Sequence, residues 1–213
     1  MIFYLLGILG YYKLAKKAVP WTICLAFFAV VTIPPGTTLY LLLHKHWIFQ
    51  LLAFAGGLFC WTFAEYFIHR FLMHEKEKKQ YHKSQHFIHH TNPGKIFTGW
   101  FRRILLTAVA VALTWCSIFF TPYLALPAGF ATGFALYTYV HMWLHRRGAN
   151  KWMGGLQTFH IRHHCGQTES CFGVMTTWWD HLFNTANAGE KNIGGKAIEL
   201  YFGNSTKNKS NAA

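Results

Sequence analysis

Acidic residues are scarce. Only 7 of the 213 residues are Asp or Glu, against 20 Lys and Arg, and the charged types together make up 13% of the chain. So little charge beside 53% hydrophobic and 18% aromatic content excludes an ordinary soluble domain and points to a membrane protein of about one domain's length. The basic excess fits an anionic lipid surface and the cytoplasmic face of a bilayer; no basic run carries the aromatic spacing of a nucleic-acid module, so nucleic acid is excluded as a partner. Cysteine is also too sparse and misplaced for a disulfide framework. Cys24, Cys60 and Cys116 lie inside apolar runs, while Cys165 and Cys171 flank a histidine cluster on the side assigned below to the reducing compartment. There is no motif for haem attachment, flavin binding or a cysteine-ligated iron–sulfur cluster, and no repeat of 20 to 50 residues.

What the chain has is histidine, 14 in all. Ten of them fall in four boxes: His69 and His74 (His-x4-His), His86, His89 and His90 (His-x2-His-His), His141 and His145 (His-x3-His), and His160, His163 and His164 (His-x2-His-His again). Residues three and four apart share a helix face, so each triplet is expected to point three imidazoles one way. Neutral imidazole suits iron, zinc, copper and nickel alike, so the ligand type names no metal. Ten ligands are too many for one ion and right for two, each held by roughly four or five nitrogens with a position open for water or substrate. His82 is in phase with His86 but outside the triplet spacing, and is expected near the ligands or at the surface. Cys165 directly follows His164 and reads as a small residue packed near the site.

Along the chain, residues 2–12 are apolar and precede Lys13, Lys16 and Lys17, the reverse of a secretory signal, so a retained interfacial segment is expected. Residues 18–43 read as one span kinked at Pro34 and Pro35, or as a shorter span that ends near Ile33 and is followed by a turn. Residues 47–68 are the clearest span, about 22 residues or ~33 Å of helix, with Gly56 and Gly57 allowing close helix approach. Glu65, one turn before His69, is an acid at the edge of a span and a functional candidate for that reason. The loop at 75–83 is charged, and a short helix carrying box two stops at Asn92, Pro93 and Gly94. Residues 101–120 and 128–143 form an antiparallel hairpin across the Pro-bounded turn at 121–127. Residues 152–185 read as an amphipathic, aromatic cover over the site, and 186–213 as a loosely ordered tail.

These elements predict an all-α integral membrane protein of a single domain, 1–213, with about four transmembrane helices, a histidine-rich dinuclear metal site and an amphipathic C-terminal cap. With four spans, every Lys and Arg except Lys45 falls on the side of all four boxes. The positive-inside rule places that side, and both termini, in the cytoplasm, whether the membrane is a bacterial inner membrane or endoplasmic reticulum.

The order of the four boxes closely resembles the membrane fatty acid hydroxylase and sterol desaturase superfamily, and within it the fatty acid 2-hydroxylases. EYFIHRFLMH looks like that family's first box, and Asn92-Pro93 and the run HIRHHCGQTESCFGVMTTWWDHLFNT look like its later signatures. The resemblance covers Glu65 to Thr185. It implies an oxygen-dependent monooxygenase with two iron ions on the ten box histidines, dioxygen as co-substrate, and Glu65 balancing charge or orienting a ligating imidazole. Zinc binds such sites more tightly than ferrous iron and is therefore expected in purified protein. It also implies a lipid substrate, hydroxylated near the carbonyl of a fatty acyl chain at the 2-position, whether free, in a sphingolipid or linked to another lipid. A separate electron donor, cytochrome b5-like, ferredoxin or reductase, would dock on the basic surface around Lys76, Lys78, Lys79, Arg102 and Arg103. Carotenoid hydroxylases share a similar first box, so a carotenoid hydroxylase or a sterol desaturase or oxidase of the same superfamily stays open. From other classes, a haem-binding cytochrome would waste the triplets, and a metal transporter would need its ligands at mid-membrane rather than at the ends of spans.

Overall fold

The computed structural model describes residues 46–74, 84–94, 98–147, 149–166, 168–186, 193 and 195–202. The expected interfacial segment, the first span, the charged loop with His82, and the last residues of the tail lie outside them. Among the described residues the protein is all-helical, with no strand. Helix α1 (Trp47–Phe67) runs directly into a π-helix (Ile68–Met73), followed by α2 (Gln85–Thr91) and α3 (Trp100–Phe119). A 3-10 turn (Pro122–Leu124) leads into α4 (Ala125–Leu144), and α5 (Asn150–Cys165), α6 (Trp178–Leu182) and α7 (Gly195–Tyr201) complete the chain.

Two of these helices are long and apolar enough to cross a membrane, Trp47–Met73 and Trp100–Phe119. Both turn large apolar side chains outward, among them Leu51, Leu52, Phe59 and Phe63 on the first and Phe101, Ile104 and Leu105 on the second. Such a surface is unfavourable in water and natural in hydrocarbon, where the apolar side chains meet lipid. The turn from Thr121 folds α3 and α4 into the antiparallel hairpin that the prolines predict.

Helix α4 is the centre of the bundle and packs on both α1 and α3. It runs parallel to α1: Phe49 meets Tyr123, while Trp61, three turns on, meets Phe130, Phe134 and Tyr137. The two backbones touch through glycine. A Cβ on Gly57 would strike the carbonyl oxygen of Leu126, and one on Gly129 would strike that of Phe54. Of the two glycines expected to admit a neighbour, Gly57 does so and Gly56 faces open space. Parallel packing makes the C-terminal ends of α1 and α4 neighbours, and those are the ends that carry boxes one and three.

The stretch after Thr185 differs from the loosely ordered tail expected from its composition. It contains α7, whose Tyr201 is fully buried and hydrogen-bonds to the Leu144 carbonyl (2.9 Å) at the end of α4. The Gln157 amide, from α5, donates to the Leu144 (2.7 Å) and Arg146 (2.9 Å) carbonyls, so the C-terminus of α4 is capped from two directions where box three emerges.

Candidate metal centre

All ten box histidines gather into two groups. His69, His74, His86, His90 and His163 form the first, centre 1; His89, His141, His145, His160 and His164 form the second, centre 2. Within each group one ring nitrogen per residue lies within 4.8 Å of all the others.

The route to this arrangement corrects one expectation. The triplets do not point three imidazoles one way; each divides. On a helix of 3.6 residues per turn, positions four apart lie about 40° from one another, and the third member sits a further ~60° to the other side. His86 and His90 therefore face centre 1 while His89 faces centre 2, and His160 and His164 face centre 2 while His163 faces centre 1. The halves of the chain thus mirror each other, each giving four ligand-type side chains to its own centre and one to the other.

Box one needs a different device. Residues five apart on an α-helix would diverge by about 140°. The chain switches to a π-helix over Ile68–Met73, and there the i to i+5 hydrogen-bonding pattern stacks such residues, bringing the His69 and His74 Nε2 atoms to 3.3 Å. Box two is set by its own cap, the Ser84 hydroxyl accepting from the Phe87 N–H (3.1 Å) at the start of α2.

In centre 1 the Nε2 atoms lie 2.7 Å (His74 to His86), 3.0 Å (His86 to His90), 3.1 Å (His74 to His163) and 3.2 Å (His69 to His86) apart. In centre 2 the separations are 3.1 Å (His89 to His141 and His145 to His160) and 3.3 Å (His141 to His145). Adjacent nitrogens at a metal–nitrogen distance of ~2.1 Å and right angles would be about 3.0 Å apart, so these spacings match ligands sharing one ion. The tautomers agree. His69 donates its Nδ1–H to the Phe172 carbonyl (2.5 Å) and His163 donates its own to the Ser170 carbonyl (2.7 Å), which leaves each Nε2 with only a lone pair facing the cluster. Among the described residues, neither buried ring nitrogen of His164 has a hydrogen-bond partner, so the nitrogen it offers to centre 2 is open to a cation. Its ring stacks on that of His90, 4.2 Å between centroids, where the two centres adjoin.

Burial holds His160, His163 and His164 well below the ordinary imidazole range, with neighbouring histidines pushing the same way. Burial likewise lowers His145 to about 3 and His90 to about 2. Neutral imidazole is the form that binds metal, so the donor set fits a divalent cation at each centre at neutral pH. Cys165 belongs to neither group. Burial pushes its thiol up to about 11, and its Sγ contacts the Ala197 carbonyl at 3.5 Å. The cysteines among the described residues are all free thiols.

Glu65 is buried, and its carboxylate reaches backbone rather than an imidazole, accepting from the Val174 (2.6 Å) and Met175 (3.2 Å) N–H groups. It fastens the segment between α5 and α6 to the end of α1. A second acid, absent from the reading of the sequence, fastens the same segment. Asp180 is fully buried and accepts from Phe172 N–H and Gly173 N–H, both at 2.8 Å, and from the Thr185 hydroxyl at 2.8 Å. Burial pushes its carboxyl upward, against the lowering effect of those donors. Tyr66 and Arg70 extend the network, Arg70 donating to the Tyr66 hydroxyl (2.7 Å) and Tyr66 to Thr185 (3.1 Å). Tyr201 stacks on His145 with centroids 4.6 Å apart and covers centre 2. The signal that would have found Asp180 is its isolation, since it is the chain's single aspartate and stands within an aromatic run.

The sequence profile of the "Fatty acid hydroxylase" family matches residues 54–185. Mouse fatty acid 2-hydroxylase is 32% identical over 145 residues, 62% of this chain and 38% of that protein. The fission yeast ceramide very long chain fatty acid hydroxylase scs7 is 33% identical over 149 residues, 62% of this chain and 41% of its own length. The chain thus spans about two fifths of the length of these relatives. The Arabidopsis dihydroceramide fatty acyl 2-hydroxylase FAH1 is 29% identical over 143 residues, 61% of this chain and 58% of that protein. A solved structure described as full-length scs7p with only the hydroxylase domain visible aligns with a TM-score of 0.47 at 22% identity, over 80% of this chain and 68% of that one. Because the matched region takes in all ten clustered histidines and both acids that brace them, the chain belongs to the fatty acid hydroxylase family.

Proposed function

We propose that the protein is an oxygen-dependent lipid monooxygenase holding two iron ions, one on His69, His74, His86, His90 and His163 and the other on His89, His141, His145, His160 and His164, and that it hydroxylates a fatty acyl chain at the 2-position. The observation that carries this reading is the division of ten largely buried imidazoles into two groups of five with converging ring nitrogens. Five nitrogens exceed the four that zinc prefers in a closed site and suit a five- or six-coordinate redox metal with a position to spare, which favours iron. The mouse, fission yeast and Arabidopsis relatives are named as fatty acid or ceramide hydroxylases, which supports a lipid acyl substrate. Iron bound there supplies the reductive activation of dioxygen needed to place one oxygen atom in an unactivated C–H bond.

The chain's own side chains do the rest. His69 and His163 keep their lone pairs inward by donating Nδ1–H to backbone carbonyls, and Glu65 and Asp180 hold the segment that bears those carbonyls. Trp179 docks α6 on α1, its indole donating to the Thr62 hydroxyl (3.0 Å) and packing against Phe59 and Phe63. Trp178 and Leu182 remain exposed there, 65% and 68%, which supports a reading in which they meet the membrane where acyl chains begin. In this reading the protein crosses the membrane four times with the boxes and both termini in the cytoplasm. A lipid headgroup then stays in water while its first carbons reach the site. Electrons come from a separate carrier docking on that face.

Feeding uniformly deuterated palmitate to cells expressing the protein, under labelled dioxygen, tests the reaction. The expected product carries one labelled oxygen at carbon two and one deuterium fewer there. Purified protein should turn over only when NADPH is joined by a reductase and carrier. An active preparation that gives no labelled acyl product but hydroxylates a carotenoid would overturn the assignment.

A further inference from the structure

The two carbonyls that orient centre 1 belong to one short segment, 170–173, between α5 and α6. The Phe172–Gly173 peptide unit is engaged at both ends. Its C=O accepts from His69 Nδ1 (2.5 Å), and its N–H donates to Asp180 Oδ2 (2.8 Å). The preceding N–H, of Phe172, donates to the other carboxylate oxygen (2.8 Å). The carboxylate therefore grips two successive N–H groups, and a carbonyl between them has nowhere to turn except toward the imidazole. The Ser170–Cys171 unit repeats the pattern, its C=O accepting from His163 (2.7 Å) and its N–H donating to the Thr185 carbonyl (2.9 Å). Thr185 is itself bonded to Asp180 through its side chain (2.8 Å) and its backbone N–H (2.7 Å).

The local sequence yields to this geometry. Cys171 adopts φ of 59°, where a non-glycine residue is held only by its surroundings. At Gly173 a Cβ would meet the Thr176 carbonyl and stand 2.7 Å from Asp180 Oδ2, so no larger residue fits beside the carboxylate. In a chain with seven acids and one aspartate, that aspartate is fully buried here.

We propose that Asp180 is the positioning residue of centre 1: acting through the Phe172–Gly173 peptide, it fixes and polarises the carbonyl that sets the tautomer and direction of His69. A carboxylate at the N–H end of a peptide makes the C=O end a stronger acceptor, so the effect is the familiar carboxylate–histidine–metal arrangement with a peptide bond inserted. It bears on centre 1, because the two rings that bond to this segment, His69 and His163, both belong to that group. The inference rests on the reading of those histidines as metal ligands.

The test is anaerobic calorimetric titration of the metal-free, full-length protein in detergent with ferrous iron alone. Two reference variants identify the steps, His86→Ala removing the centre 1 step and His141→Ala the centre 2 step. Asp180→Asn keeps the shape but turns an amide N–H toward a backbone donor. It should weaken the centre 1 step about tenfold or more and leave the centre 2 step within about twofold. Thr185→Val, which keeps the carboxylate but removes its hydroxyl partner, should weaken the same step by about threefold, and it decides the matter if Asp180→Asn does not yield folded protein. Equal weakening of both steps, the mark of a merely structural acid, or no weakening of either would overturn the inference while leaving the metal reading intact. A wild-type protein that takes up no iron at either centre would overturn the proposed function and the inference together.

Discussion

A buried imidazole with no proton to spare stabilises a metal site and penalises the metal-free protein in acid. His145 and His90 are held near 3 and 2 by burial, far below the ordinary value of ~6.5, and His160, His163 and His164 are lowered as well. With the folded values depressed, the unfolded chain binds protons that the folded chain refuses once pH falls below about 6.5. Stability is therefore lost from there down to the folded values. One such ring amounts to about 1.4 kcal/mol per pH unit, or roughly 3–5 °C in melting temperature for a chain of this size. Thermal melts of metal-free protein between pH 8 and pH 5 should be flat above about pH 7 and fall steadily below it; a profile flat throughout would contradict the burial of these rings. The identities of the ten histidines are legible in the sequence because spacing survives without a structure. Asp180 is not, since what it does depends on where Phe172 and Gly173 place their N–H groups, and a backbone direction leaves no mark in composition.

At the scale of helices, the contact that sets the site is the glycine crossing between α1 and α4. The residue pair Gly56 and Gly57 offers an internal control. Gly57→Ala places a methyl group into the Leu126 carbonyl and must push the helices apart, at a cost of about 1–3 kcal/mol. Gly56→Ala meets nothing within 4 Å and should gain the modest helix propensity of alanine, up to about 1 kcal/mol. Melting temperatures of the two variants in one detergent should therefore move in opposite directions, and a Gly57→Ala protein as stable as the wild type would refute the crossing. The sequence announces the span and the small residues but not which glycine faces the partner, because Gly56 and Gly57 differ only by about 100° of helix rotation. It likewise conceals the π-helix over Ile68–Met73. A His-x4-His spacing makes sense only once the hydrogen-bonding pattern is seen to change by one residue, and no residue type in IHRFLM demands that change.

For the whole molecule, parallel packing of α1 and α4 brings boxes one and three to one end of the bundle, as the proposed four-span topology requires. Single cysteines placed at Ser84 and at His46, in an otherwise cysteine-free chain, should divide accordingly. An impermeant reagent outside intact cells should label position 46 and not position 84, and labelling at 84 would reverse the topology. The exchange of one histidine between the halves also has a bearing on how the protein is made. Centre 1 draws four histidines from residues 69–90 and its fifth from His163, while centre 2 takes its earliest from His89 and its last from His164. A ribosome must therefore deliver most of the matched region before either centre can be completed, and the two are then completed by consecutive residues, His163 and His164. A product that stops before His163 lacks at least one side chain at each centre, so neither donor set closes until most of the matched region has left the ribosome.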